Sequence, residues 1–287
     1  MKYWFMDQYR SCHGVQKMCR VIVASRSGYY RWRKQPRSKR QKENEKILME
    51  IKESHENSRG TYGSPRITED LWANGIKCGE NRVARLMNIH GIAGKAKKKF
   101  RATTNSKHDL PVAENHLNQN FTAEKPNTVW VSDITYIWTL EGWLYMAVIL
   151  DLFSRQVVGW AMSDRLTSGF VMKALYQAIG RRKPASGCTF HSDRGVQYAS
   201  ADFQNVLKTH GFIQSMSRKG NCYDNAIAES FFHTLKVEHV YEYRYETRTE
   251  AIQSIFEYIE MFYNRQRRHS ALGYQSPVSF ELKAMAA

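Results

Sequence analysis

Several things are missing from this chain of 287 residues, and each absence narrows what it can be. Nowhere does it reach the roughly 18 consecutive apolar residues that a membrane-spanning helix needs. Its opening, MKYWFMDQYRSCHG, has no apolar core followed by a small-residue cleavage site, which argues against a secretory leader. The cysteines, Cys12, Cys19, Cys78, Cys188 and Cys222, form no C-x-x-C pair and stand at no zinc-finger spacing with histidine. They read as reduced structural thiols of a cytoplasmic protein. There is no repeat at a solenoid period, no long low-complexity tract and no sustained heptad pattern in residues 1–60. Acidic residues are scarce relative to basic ones, 27 Asp+Glu against 43 Lys+Arg, for a net charge of +16. Of that excess, +14 falls in residues 1–100 and only +2 in residues 101–287. So local a basic field calls for a polyanion, and nucleic acid is the commonest one. Aromatics interleave with the charge in SRSGYYRWRKQPRSKR, Ser25–Arg40, which strengthens that expectation.

What is present suggests a small basic module followed by a larger domain. In residues 41–56, Ile47, Leu48 and Ile51 recur at helical spacing. YGSPRITEDLWANG then predicts a helix capped by Ser64, with Pro65 in its first turn and Gly75 as its stop. A second helix is expected from about Glu80 to His90, with Val83, Leu86 and Met87 inward and Gly91 at its end. Two short helices joined through a glycine suggest a helix-turn-helix, which would turn Arg82 and Arg85 of the second helix toward DNA. A plain helical hairpin with solvated arginines fits the local pattern as well. The expected division is a helical DNA-binding region over 1–92, a basic linker over 93–123, and a catalytic domain over 124–287. That domain reads β-β-β-α-β-α-β-α, with its last helix running through TEAIQSIFEYIEMFYNRQRRH. The order predicts an α/β fold, an open mixed sheet flanked by helices.

Three carboxylates sit oddly in this pattern. Asp133 lies mid-strand in VWVSDITYIW, on a face with Val129, Val131, Thr135 and Ile137, where an unpaired charge costs several kcal/mol. Asp193 follows a short strand and precedes Gly195, which also suits an ordinary turn. Glu229 stands in NAIAESFFHTLK. At about 100° per residue, Asn225, Glu229, His233 and Lys236 fall within about 40° of one line, with Ile227, Phe231 and Leu235 opposite. Taken alone, that is an amphipathic helix with its polar stripe in water. Asp151, Asp164, Asp202 and Asp224 have simple structural explanations, Asp224 as a cap of the helix that carries Glu229. If the three odd acids converge, they make a hard oxygen site for Mg²⁺ or Mn²⁺. Two such ions roughly 4 Å apart suit in-line phosphoryl transfer on DNA.

The motifs VWVSDITYI, DLFSRQVVGW, HSDRGVQY, SRKGNCYDNAIAESFFHTLK and YNRQRRHSALGYQSPVSF, in this order, resemble the OrfB half of bacterial insertion-sequence transposases. The family is the one named for insertion sequence three, within the DDE transposase and retroviral-type integrase superfamily. The upstream YGSPRI and NRVARLM resemble its helix-turn-helix region, so the likeness runs from about Cys19 to Glu281. It implies an RNase H-like integrase core with a mixed five-stranded sheet. It also implies a catalytic, metal-binding triad of Asp133, Asp193 and Glu229, with 35 residues between the second and third members. Lys236, seven positions after Glu229, fills the family's basic position. Arg218, Lys219, Asn221 and Asn225, which precede or open the catalytic helix, become expected DNA contacts. His191 reads better as a satisfied core histidine than as a catalytic one. Arg265, Arg267, Arg268 and His269 read either as a solvated helix end or as a contact with DNA or a second protomer. Further expectations are DNA (element ends and target) as partner, two Mg²⁺ or Mn²⁺ ions, self-association on DNA, a bacterial nucleoid setting, and an upstream OrfA half or fusion. The zinc-binding domain of retroviral integrases is not apparent. A DNA-binding regulator without chemistry, serving as partner subunit of the full transposase, remains the alternative. A plain RNase H-like nuclease is a third possibility.

Overall fold

The computed structural model describes residues 1–34, 38–95, 111–218 and 222–286. They fall into two compact units, Met1–Gly94 and Lys95–Ala287. In the first unit, helices α1 (Lys2–Gln8), α2 (Val15–Val21) and α3 (Arg26–Lys34) bury Met6, Met18, Cys19 and Tyr29, with Tyr3 and Trp32 packed alongside. The Tyr29 hydroxyl donates to Asp7 at 2.8 Å. Some of the interleaved aromatics are therefore core, not a stacking surface. Helix α4 (Lys39–Asn57) opens on a capping box in which Ser38 accepts from the Gln41 amide and the Gln41 side chain accepts from the Ser38 amide. It packs Ile47 and Ile51 against Ile67 and Leu71 of α5 (Ser64–Ala73) and against Val83, Leu86 and Met87 of α6 (Glu80–Ile89). Gly63, not Ser64, holds the cap position of α5; Ser64 lies in the first turn, where its carbonyl accepts from Thr68 Oγ1. The stop at Gly75 is a Schellman motif: Gly75 has φ +79, its amide donates to Trp72, and the Ile76 amide donates to Leu71. The same pair of bonds ends α6 at Gly91 and Ile92.

The second unit is a five-stranded mixed sheet in the order β3-β2-β1-β4-β5. β1 (Val129–Thr139), β2 (Gly142–Asp151) and β3 (Val157–Ser163) form an antiparallel meander. β4 (Thr189–Ser192) and β5 (Ile213–Met216) add to it in parallel. One core gathers Trp130, Phe190, Tyr198, Phe203 and Phe212 with Phe170, Val171, Ala174 and Leu175 of α7 (Ser168–Arg182). Short α8 (Val196–Ala199) and α9 (Ala201–Thr209) complete that side. α10 (Ala226–Glu238) packs on β1, with Phe231 against Tyr263 at 4.8 Å.

Two expectations change here. Part of the stretch expected as linker is bonded into the second unit: Leu117 is buried, and the His116 and Leu117 amides donate to Ser215 Oγ. A polar, aperiodic sequence concealed this, because its anchors are backbone and side-chain amides whose partners lie far along the chain. The long last helix is interrupted. α11 (Arg248–Glu257) gives way at Tyr258–Tyr263 to a wider turn with i→i−5 bonding, as from the Asn264 amide to Ile259. Beyond that turn the Asn264 side chain pairs with both backbone groups of Val157, satisfying part of the edge of β3. α12 (Pro277–Ala286) closes the chain and ties in through Glu281 to Arg182.

α7 lies so close to β3 that Gly159 has no room for a side chain. A Cβ there would stand 2.4 Å from the Ala174 carbonyl and 2.7 Å from Ala178 Cβ. Gly159→Ala is expected to destabilise the second unit by about 1–3 kcal/mol through overpacking. Urea or thermal unfolding checks this, and an unchanged midpoint would show that α7 can back away.

Candidate active site

β1 and β4 pair in parallel through Val129–Thr189, Trp130–Phe190, Val131–His191 and Ser132–Ser192, and there β4 ends. Asp133 and Asp193 are the next residue on each chain. Neighbouring strands lie about 4.8 Å apart, and equivalent positions point to the same side. The register thus sets the two acids side by side at the carboxyl end of a parallel pair, where open α/β sheets place their ligands. Asp133 Oδ1 accepts from the Ile134 amide at 2.7 Å, and Asp193 Oδ1 from the Gly195 amide at 2.9 Å.

Glu229 reaches this edge because α10 is tethered to β1. Asn225, at its start, donates from Nδ2 to the Ser132 carbonyl at 3.2 Å. Glu229 lies one turn on. Phe231, Phe232 and Leu235 are buried, and on the polar stripe Asn225 and Lys236 are buried too. The stripe is therefore partly covered by protein, with Glu229 and His233 between buried and exposed, unlike the fully solvated stripe of an ordinary amphipathic surface helix. The Lys236 ammonium sits 5.3 Å from the centre of the Tyr136 ring.

The three carboxylates feel one another. Burial, the Asp193 charge and the Glu229 charge push Asp133 well above the usual carboxylate range, against the opposing pull of its Ile134 bond and of Lys236. Burial and Asp193 raise Glu229 as well. Burial lowers Lys236, and Asp133 partly restores it. Among the described residues, however, no three His, Cys, Asp or Glu side chains are gathered tightly enough to form a ready metal cluster. The donor chemistry still fits a hard dication: all three side chains offer carboxylate oxygen, and their repulsion is what an added cation relieves.

The other expected site residues fare unevenly. Asn225 is buried and holds helix to strand, so it is not placed as a DNA contact; its Oδ1 has no hydrogen-bond partner. Arg218 is half exposed, and its guanidinium is taken by Asp224 through Nε at 3.1 Å and Nη2 at 3.0 Å. Asp224 does not cap α10. It is buried and also accepts from the Arg218 amide, Asn115 and Gln119. Those donors hold its carboxyl far below the usual range, the Arg218 side chain foremost. Lys219 and Asn221 lie outside the described residues. Arg85 is exposed on α6 as expected, whereas Arg82 is drawn back onto α4 by Asn44 and Glu43. His191 is buried, with Nδ1 2.8 Å from Ser215 Oγ and Nε2 3.3 Å from Ser217 Oγ, and burial pushes it down to about 4. That is a satisfied neutral core histidine. Arg267 fits neither sequence expectation; it is buried in a two-pronged ion pair with Glu238, both contacts at 2.6 Å. One neighbour of the acids escaped the sequence reading. Tyr198, buried and bonded to Ser132 Oγ at 2.8 Å, has its hydroxyl raised by burial and by the charges of Asp133 and Asp193. Its only signal was its place in HSDRGVQY.

Comparison with known proteins matches the Integrase core domain family to residues 123–222 and again to 229–285, and the HTH-like domain family to 42–100. The Shigella sonnei protein "Insertion element IS600 uncharacterized 31 kDa protein" is 50% identical over 266 residues, covering 93% of this chain and 98% of its own. Transposase InsF for insertion sequence IS3A of Escherichia coli strain K12 is 44% identical over 288 residues, spanning 100% of both chains. The chain belongs to the IS3-type insertion-sequence transposases. It is a transposase with an α/β integrase core and an N-terminal helix-turn-helix-like domain. Asp133 and Asp193 of this transposase fall in the first integrase-core match, and Glu229 opens the second. Among solved structures, a chain of the simian T-cell lymphotropic virus intasome in complex with PP2A regulatory subunit B56 gamma aligns with a TM-score of 0.48. It is 17% identical and covers 80% of this chain and 74% of its own. No helix among the described residues is long and apolar enough to cross a membrane.

Asp224 yields a pH-dependent expectation. Its folded carboxyl is depressed, so its contribution is present above the unfolded carboxylate range and is lost as pH falls through and below that range. Asp224→Asn should lower the melting temperature at pH 7, and the gap to wild type should close progressively under acid. A gap independent of pH would remove the charge from the explanation.

Proposed function

We propose that Asp133, Asp193 and Glu229 are the catalytic and metal-binding triad of a DNA strand-transferase using Mg²⁺ or Mn²⁺, with two ions in the active complex. The observation that carries this is the Ser132–Ser192 register, which supports two carboxylates abreast at the end of the parallel pair, with α10 tied there to bring the third. Bound there, divalent ions would supply Lewis-acid charge for in-line displacement at a phosphodiester. The chain's own part is positional and electrostatic. The sheet edge fixes two acids, buried phenyl groups fix the helix that aims the third, and Lys236 offers a cation beside Asp133 for a phosphate. In the first step water cleaves at the element's end and frees a 3′-hydroxyl. In the second, that hydroxyl attacks a target phosphodiester and displaces the target's own 3′-oxygen. One phosphodiester forms as one breaks, so no outside energy source is needed.

DNA, as element ends and as target, is the proposed partner. Arg85 on α6 is the best-exposed candidate to meet it in the helix-turn-helix-like domain. Lys219 and Asn221 remain candidates from sequence. Self-association on DNA, a partner upstream half, and a cytoplasmic, nucleoid setting complete the proposal. The test is cleavage and joining of an element-end duplex with Mn²⁺ or Mg²⁺, with the upstream half supplied where wild type requires it. Asp133→Asn and Glu229→Gln should each lose more than about a hundredfold in both steps, since even outer partners of a metal site cost 10–100-fold. DNA affinity should persist. Full activity in either variant would refute the triad. Salt-sensitive binding indifferent to Mn²⁺, with no strand cut by wild type, would instead favour the non-catalytic regulator.

A further inference from the structure

Past Lys236 the hairpin of β1 and β2 projects a set of aromatic rings that the triad does not use. Trp138, Trp143 and Tyr136 are 56%, 45% and 40% exposed, unusual for side chains of their size. They are ordered against one another, with Trp143 edge-on to Trp138 at 4.8 Å and to Tyr136 at 5.2 Å. Across from them stands Tyr243, 52% exposed. Together they line a groove of about 450 Å³, with Lys236 and Arg244 also in its wall. No carboxylate lines it; the nearby acids Glu141 and Glu242 are engaged with the Arg248 amide and with Lys95. Aromatic faces between two cations, without acids, suit a chain of stacked bases on a phosphate backbone. The groove lies beside the proposed active site, because Lys236 in its wall is close enough to Asp133 to act on its charge.

We infer that this groove holds unpaired nucleotides of the DNA strand leading into the active site, stacking their bases on Trp138 and Trp143 while Lys236 and Arg244 meet the backbone. The inference rests on the strand-transferase reading and adds to it a single-strand site. An end with unpaired bases lets its strand bend sharply toward the carboxylates, which a stiff duplex resists. Sequence tolerance follows, since every base has a face to stack.

The test uses the full chain in a Glu229→Gln background, so that no strand is cut. It is titrated with an oligothymidylate carrying one 2-aminopurine and, separately, with a duplex of equal length. The expected result is quenching of the 2-aminopurine. Trp138→Ala and Trp143→Ala should relieve it and weaken single-strand binding about five- to a hundredfold. Duplex affinity should hold, and Trp138→Phe and Trp143→Phe should keep most of the single-strand affinity. Unchanged single-strand binding, or equal loss on both probes, overturns the inference. So does altered self-association by sedimentation in place of a binding change, which would make the groove a protomer contact. Metal-dependent cutting and joining by the otherwise wild-type chain, measured in parallel with the upstream half supplied, separates the two claims. If that chain cuts and joins while the tryptophan variants bind normally, only the groove fails; if it does neither, the strand-transferase reading fails.

Discussion

The parallel pairing of β1 with β4 is the constraint on which the site depends. It is short, four residue pairs, and it stops at Ser132–Ser192. Because it stops there, the next residue of each chain lies where the parallel pair ends, Asp193 just past β4 and Asp133 still paired to Val148 of β2, and both are aspartates. A slip of one residue in this register would turn one carboxylate to the opposite face. The buried aromatics around Trp130, Phe190 and Phe203 hold the register, and Ser132 adds bonds to Val148 and Tyr198 from the strand itself. Asn225 then ties α10 to that same Ser132, so one residue is the common origin for all three acids.

The arrangement works against its own stability. Asp133, only partly exposed, is held with two like charges near it, and a fold selected only for stability would not keep it. Two buried acids elsewhere in the second unit are well matched. Glu238 faces Arg267, and Asp224 accepts donors from three residues. The contrast is a physical reason to propose a functional role for the three acids: each of Asp133 and Glu229 is raised by a neighbouring like charge, where Glu238 and Asp224 face cations or neutral donors.

Much of this was legible in the chain itself. Period-two alternation gave β1, and with it the oddity of Asp133. Helical geometry gave the stripe of Asn225, Glu229 and Lys236. Schellman glycines marked the ends of α5 and α6. What stayed hidden depends on partners far apart in sequence. Nothing local distinguishes Arg267, which meets Glu238 inside the fold, from a solvated helix end. Nothing local shows that Asn225 bonds a strand 93 residues away, or that Leu117 is pinned by Ser215. The wide turn at Tyr258–Tyr263 is invisible to periodicity because its residues remain helical in character. The parallel register that sets Asp133 beside Asp193 was also out of reach, because sequence pattern does not say which strands pair.

On the proposed function, mutual repulsion of the three carboxylates is the cost of a cation site. Since the folded pKa of Asp133 lies above its unfolded value, the ionised folded form is penalised at neutral pH, and the penalty vanishes below the ordinary carboxylate range. The most direct measurement is the melting temperature of wild type and Asp133→Asn at pH 7, each in chelator and in Mn²⁺. The account predicts that Asp133→Asn melts higher than wild type in chelator, and that only wild type gains stability from Mn²⁺. A variant that melts lower in chelator, or that gains as much from Mn²⁺ as wild type, would contradict it.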